Sequence, residues 1–256
     1  MTSAIVRQML AAEVLKLRRN RALVVLSLLL SVGLLVIFFG YNAIQHASNP
    51  AQYAPAGGLN QFTRAVRVLG LFFGSLAAIL VGTEAGTADL ASGVFRDLVA
   101  TGRSRLALFF VRAPAAIAVT VICTGAGFLL TLVCTFLFSG GLPTPTISQI
   151  LEAAGWIILA NAILAALAVG VGSISGSRSV TLTAVIGWQA IVTQLLLNIT
   201  SLGSARDLLL TAALRQANPL EPPDFAMATG IAVLVLIGWA TIPAAIGAWR
   251  TRTQDA

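Results

Sequence analysis

Charged side chains that could recognise a surface or a substrate are gathered in one stretch of this sequence, Thr83 to Arg112. It carries Glu84, Asp89, Arg96, Asp97, Arg103, Arg105 and Arg112. Carboxylates and guanidinium groups at this density suit a charged docking surface, but the partners of catalysis are missing. Lys16 is the only lysine, and no G-x-x-x-x-G-K precedes it, so the sequence has no Walker A phosphate loop. His46 is the only histidine, which leaves neither a His-based zinc site nor a Ser-His hydrolase with its parts. Gly170-Val-Gly172 follows no strand and reads as a helix-packing element with Ala162, Ala165 and Ala166, not as a dinucleotide fingerprint. Cys123 and Cys134 share one apolar run; on a helix they stand roughly 16 Å apart, too far for a disulfide. No catalytic, cofactor-binding or metal-binding residue is expected in this chain.

The elements that must position the charged stretch are apolar. Of 256 residues, 57% are hydrophobic and 10% are charged, against about 25% charged in soluble domains. A core of this size cannot hide so much apolar surface, and lipid is the natural solvent for the rest. The expected fold is an all-α membrane protein with six transmembrane helices, near 22–40, 60–82, 106–138, 150–174, 180–199 and 226–249. Pro114, near the start of the third, is a possible bend. The first apolar run is too long for a cleavable signal, so none is expected.

Orientation follows from lysine and arginine. With the N-terminus inside, twelve of the sixteen basic residues fall on the cytoplasmic side; Arg64, Arg67, Arg206 and Arg215 fall outside. Both termini are therefore expected in the cytoplasm and the protein in the cytoplasmic (inner) membrane. The net charge of +7 reports this orientation and not a nucleic-acid partner, because the basic residues sit at the ends of apolar runs. Residues 1–21 place Val6, Leu10, Val14 and Leu17 on one stripe, which suits an amphipathic helix on the inner leaflet or one packed on a partner. In the 200–225 segment, Ser204-Ala-Arg-Asp207 has capping-box spacing ahead of a leucine-rich helix. That helix is either an outer gate dipping into the membrane or one resting on its surface.

No ionisable residue falls near the middle of an expected span, so ion-coupled transport lacks its midplane site. Energy for uphill movement would have to come from another chain. Asn161, Gln189 and Gln194 are the main polar side chains inside; they serve interhelical hydrogen bonds or line a pathway. Arg64 and Arg67, three apart, either face an outer cavity and attract anionic groups or snorkel to the outer leaflet.

The 83–105 segment reads Glu84-Ala-Gly-Thr87, Phe95-Arg-Asp-Leu98 and Thr101-Gly-Arg-Ser-Arg105, followed by Arg112. In that order, and after the second span, these motifs resemble the inner loop of ABC-2 type transporter permeases. Ala12-Glu-Val-Leu-Lys-Leu17 resembles the opening helix of that family, and six spans cover essentially the whole chain. The sequence differs in having Asp89 and a longer Ala-Ser-Gly spacer before Arg96. The resemblance implies a permease subunit that exports a substrate with an ABC ATPase partner, which would hold ATP and magnesium. It also implies a second permease copy, identical or related, with the surrounding lipids as further partners. The docking loop would comprise Glu84, Val94, Phe95, Arg96, Asp97, Leu98, Arg103, Ser104 and Arg105. Val94, Phe95, Leu98 and Val99 would make an apolar ridge inside a charged rim, a reasonable interface composition. Apolar spans suit a hydrophobic or amphipathic cargo such as a drug, lipid or peptide. The competing reading is a non-transporting scaffold whose loop anchors a cytosolic protein.

Overall fold

The structure is a computed structural model that describes residues 3–100, 102, 104–222 and 227–253. Arg103 lies outside the described residues, as do the side chain of Arg96 and the expected start of the last span at 226. Among the described residues the fold is helical, with no strand. Helix α1 is Ser3–Arg19, α2 Arg21–Ser48, α3 Gly58–Ala91, α4 Val94–Ala100 and α5 Arg105–Leu137. Then come α6 Ile147–Ser175, α7 Arg178–Asn198, a 3₁₀ segment Thr200–Leu208, α8 Leu210–Gln216 and α9 Thr229–Thr253. Six of these, α2, α3, α5, α6, α7 and α9, are long and apolar enough to cross a membrane.

The six run alternately up and down, as the contacts between their ends require. At one end α1, the close of α3, the start of α5 and the start of α7 exchange ion pairs. At the other, the Leu59 amide donates to the Pro143 carbonyl at 2.7 Å, and Arg67 pairs with Glu221. Helices α3 and α6 form the centre of the bundle and are the most buried of the six. They pack backbone to backbone: a Cβ on Gly86 would stand 2.7 Å from the Val169 carbonyl oxygen. Gly170 meets the Pro243 backbone of α9 equally closely, so the small-residue run of α6 works as a packing surface on two sides. By contrast α2, α7 and α9 expose most of their apolar windows, which face lipid or protein outside this chain.

Three spans carry a π-helical turn: Leu29–Gly33 in α2, Leu69–Phe73 in α3 and Gly187–Val192 in α7. Each widens the helix by a residue per turn and re-aims the side chains beyond it. In α2 this brings the Ser31 hydroxyl to within 2.8 Å of the Ser27 carbonyl and 2.9 Å of the Cys123 carbonyl on α5. Helix α5 continues unbroken through Pro114.

Three local expectations change. The first span, expected to end near 40, continues as α2 through the polar stretch from Tyr41 to Ser48. The second span, expected to end near 82, continues as α3 to Ala91, so the first nine residues of the expected loop are helix. The Ser204-Ala-Arg-Asp207 pattern is not a capping box. It lies in the 3₁₀ segment, which kinks at Gly203 (φ 51°), and α8 starts later, at Leu210, with no side-chain cap. The capping box the fold does use is Thr146–Gln149, at the start of α6.

Candidate functional site

The charged stretch folds into a short helix on an ion-paired base. Helix α4 hangs between two turns, Gly93 (φ 75°) and Gly102 (φ 81°), backbone angles that favour glycine. Below it, Asp89 on the last turns of α3 is shared by two cations. Lys16 of α1 lies 3.0 Å from Oδ1, and Arg112 of α5 lies 3.4 Å from Oδ2. Glu13 pairs with the same lysine at 2.5 Å. One turn earlier, Glu84 accepts from Asn20 Nδ2 at 3.0 Å and pairs with Arg178 of α7 at 3.2 Å. Asn20 also caps α2, its side chain accepting from the Leu23 amide. Two carboxylates of α3 thus tie together four other elements.

Arg112 is the centre of this base. It is 1% exposed, and its guanidinium carbon lies 5.5 Å from the centroid of the Phe95 ring, within cation–π range. Its Nε and Nη1 have no hydrogen-bond partner among the described residues. Phe95 is therefore turned inward and 4% exposed, while Val94 is 42% exposed and Asp97 is exposed beside it. Leu98 and Val99 are half-buried. The four apolar residues expected on one ridge divide between two faces: Phe95 holds α4 to the bundle and Val94 faces away. Ser104, which precedes α5, is exposed, and Arg105 is half-buried. Glu84 is held inside the base by its two bonds.

The opposite end holds a second constellation. Residues Leu210 to Leu214 of α8 are all buried, so this helix is sunk among its neighbours. Gln189 of α7 donates to the Thr211 hydroxyl at 3.0 Å, from a position nine residues short of Asn198, or about 14 Å along the helix. Trp156 Nε1 of α6 donates to the Leu214 carbonyl at 2.9 Å. That carbonyl lies in the last turn of α8, where intrahelical partners run out, so the indole acts as a cap supplied from another helix. Gly70 on α3 leaves no room for a side chain against the same ring. Trp239 Nε1 of α9 donates to the Leu208 carbonyl at 2.9 Å, and Arg67 pairs with Glu221 at 3.3 Å. Trp156→Phe should keep the ring and lose the cap, costing about 1–3 kcal/mol for a buried unmatched carbonyl. Thermal unfolding in detergent reads this as a lowered midpoint; an unchanged midpoint would mean the carbonyl finds water.

The polar residues expected inside separate in the same way. Gln189 makes an interhelical bond. Asn161 is buried and donates to the Ile157 carbonyl of its own helix at 2.9 Å. Gln194 is half-buried on α7, its carbonyl accepting from Asn198. Arg64 is exposed and lines a pocket between α2 and α3. Sequence reading missed Glu13, Lys16 and Asp89 as one group, and Trp156 as a cap. The available signal was an acid and a lysine three apart in the first helix, with a lone aspartate at the end of an apolar one. No family model matches this sequence, and no curated protein matches it.

Proposed function

We propose that this chain is the membrane-spanning permease subunit of an ATP-driven exporter of the ABC-2 type. The observation that carries the reading is the mounting of α4. A short helix with exposed Val94 and Asp97 is fixed through Phe95 and Arg112 to a base that joins α1, α3, α5 and α7. A cytosolic motor pushing on α4 would therefore push on three spans at once. The α1 end is the cytoplasmic side, because twelve of sixteen basic residues belong to it, and both termini lie there in the inner membrane. Helix α1 lies along the inner leaflet, with Leu10, Val14 and Leu17 turned to the bundle.

The partner is an ABC ATPase holding ATP and magnesium. It meets Val94, Asp97 and the neighbouring Arg96, Leu98, Arg103, Ser104 and Arg105. A second copy, or a related permease, covers part of the apolar surface that α2, α7 and α9 leave open. The hairpin that carries α8 is the outer gate, held by Trp156, Gln189, Trp239 and Arg67. The cargo is hydrophobic or amphipathic, since the spans offer few polar contacts. Affinity purification from the native membrane, through a tag on this chain, tests the reading. Magnesium-dependent ATP hydrolysis should co-purify; a stable membrane protein retaining other cytosolic proteins but no hydrolysis would favour a scaffold.

A further inference from the structure

At the end of the bundle opposite α1, the last turns of α2 and the first turns of α3 enclose a pocket of about 350 Å3. We infer that this pocket binds a phosphate-bearing head group that also carries hydroxyls, of the glycerophosphate type. Its lining includes the polar groups of Tyr41 and Tyr53, the amides of Asn42, Gln52 and Gln61, and Arg64. The connecting loop is folded over the pocket by its own bonds. The Gln52 and Tyr53 amides both donate to the Asn49 carbonyl, at 3.1 and 3.0 Å, and the His46 ring nitrogen Nδ1 contacts the Tyr53 carbonyl at 2.6 Å.

Two unmatched groups define the ligand. Arg64 has no carboxylate partner among the described residues, whereas Arg67, one turn further on, is paired with Glu221. Gln61 is 7% exposed and donates to Asn42 Oδ1 at 3.3 Å, but its Oε1 has no partner among the described residues. A planar guanidinium open to the pocket calls for an anion with several oxygens, which phosphate supplies. A buried amide oxygen calls for a donor, which phosphate diesters lack and a ligand hydroxyl supplies. Phenols and amides around them suit further hydroxyls, and the volume lies within the range of small-ligand pockets. Depth agrees: Arg64 and Glu84 are twenty residues apart on α3, about 30 Å, the thickness of a hydrocarbon core. With Glu84 at one membrane boundary, Arg64 stands at head-group level on the other. The inference needs the chain in a membrane but no ATPase, so it can fail while the exporter reading stands.

The test uses the purified full chain in a neutral detergent and measures binding by calorimetry. Ligands are short-chain phosphatidylglycerol, short-chain phosphatidylcholine (no hydroxyl and no net charge) and soluble glycerol phosphate. Phosphatidylglycerol should bind at least about tenfold more tightly than phosphatidylcholine. Arg64→Gln should lose about tenfold or more, and Arg67→Gln should change little. Gln52→Glu, at an exposed loop position, should weaken anion binding while leaving thermal unfolding unchanged, which guards against a folding defect in the first variant. Glycerol phosphate binding as well as the lipid would assign a soluble ligand; weaker binding would assign the lipid; either supports the site. Equal binding of the two lipids, or equal losses from the Arg64 and Arg67 variants, would overturn it.

Discussion

Replacing Asp89 by alanine should destabilise this protein by about 3–5 kcal/mol, the cost of stranding a buried charge. Arg112 is 1% exposed and, among the described residues, its hydrogen bond and ion pair go to Asp89, so the substitution strips a buried guanidinium of that counter-charge. Lys16 behaves differently. Its side chain is 36% exposed, so water can take over from Asp89, and Lys16→Ala should cost under about 1 kcal/mol. The double variant Asp89→Leu/Arg112→Met removes both buried charges and should recover more than half of the loss. Unfolding in detergent, followed by helix content, gives all three values. Equal effects of Asp89→Ala and Lys16→Ala would show that Arg112 does not depend on the aspartate. A further consequence concerns α4. Because Phe95 rests on Arg112, amide exchange in α4 should accelerate in Asp89→Ala before the spans themselves open.

The second large effect concerns the outward face of α4. Val94→Asp combined with Asp97→Arg should reduce co-purifying ATP hydrolysis at least about tenfold, because a buried apolar contact and a charge are inverted together. Both side chains are exposed, so the fold should lose no more than about 0.5 kcal/mol. Phe95→Ala makes the instructive contrast. It too should lower hydrolysis, but with a fall in thermal stability, since this ring is buried on Arg112. A double variant that loses hydrolysis with an intact melting profile separates a docking surface from a structural one. One that keeps wild-type hydrolysis removes α4 from the interface.

The six spans were legible because bilayer length and apolarity are properties of contiguous sequence. Four of the six match the expected segments to within about four residues at each end where described, while α2 and α3 run past their expected ends to Ser48 and Ala91. In α3, apolarity falls at Glu84 but the helix continues to Ala91. Its acids are neutralised by α1, α5 and α7, so the helix does not have to stop for them. Those pairings were not legible, because Lys16 and Asp89 are 73 residues apart and no local pattern connects them. Trp156 and Leu214, 58 apart, pose the same problem, and an indole near a span end also suits an interfacial role.

Ser204-Ala-Arg-Asp207 misled for a different reason. The spacing is right, but Leu208 and Leu209 precede a helix whose start is set by burial of Leu210 to Leu214, not by a cap. The facing of α4 was undecidable from seven residues. Val94 and Phe95 are neighbours in an apolar pair, and only the position of Arg112 determines which of them turns inward. Small residues fared better. Gly170, Gly172 and Ala165 were readable as a packing surface because close approach of helices needs the absence of side chains, which sequence displays directly.

The measurement that tests the central claim most directly is photocrosslinking from α4 in native membranes. A photoreactive amino acid at Val94 would be activated by light, and its adduct probed for labelling by a photoreactive ATP analogue. A matched probe at Leu142, exposed at the opposite end of the bundle, is the control. The account predicts an adduct from Val94, and none from Leu142, with a protein that binds the nucleotide. An adduct from Val94 with a protein that binds no nucleotide, or no adduct when the chain is folded and present at normal level, would contradict it.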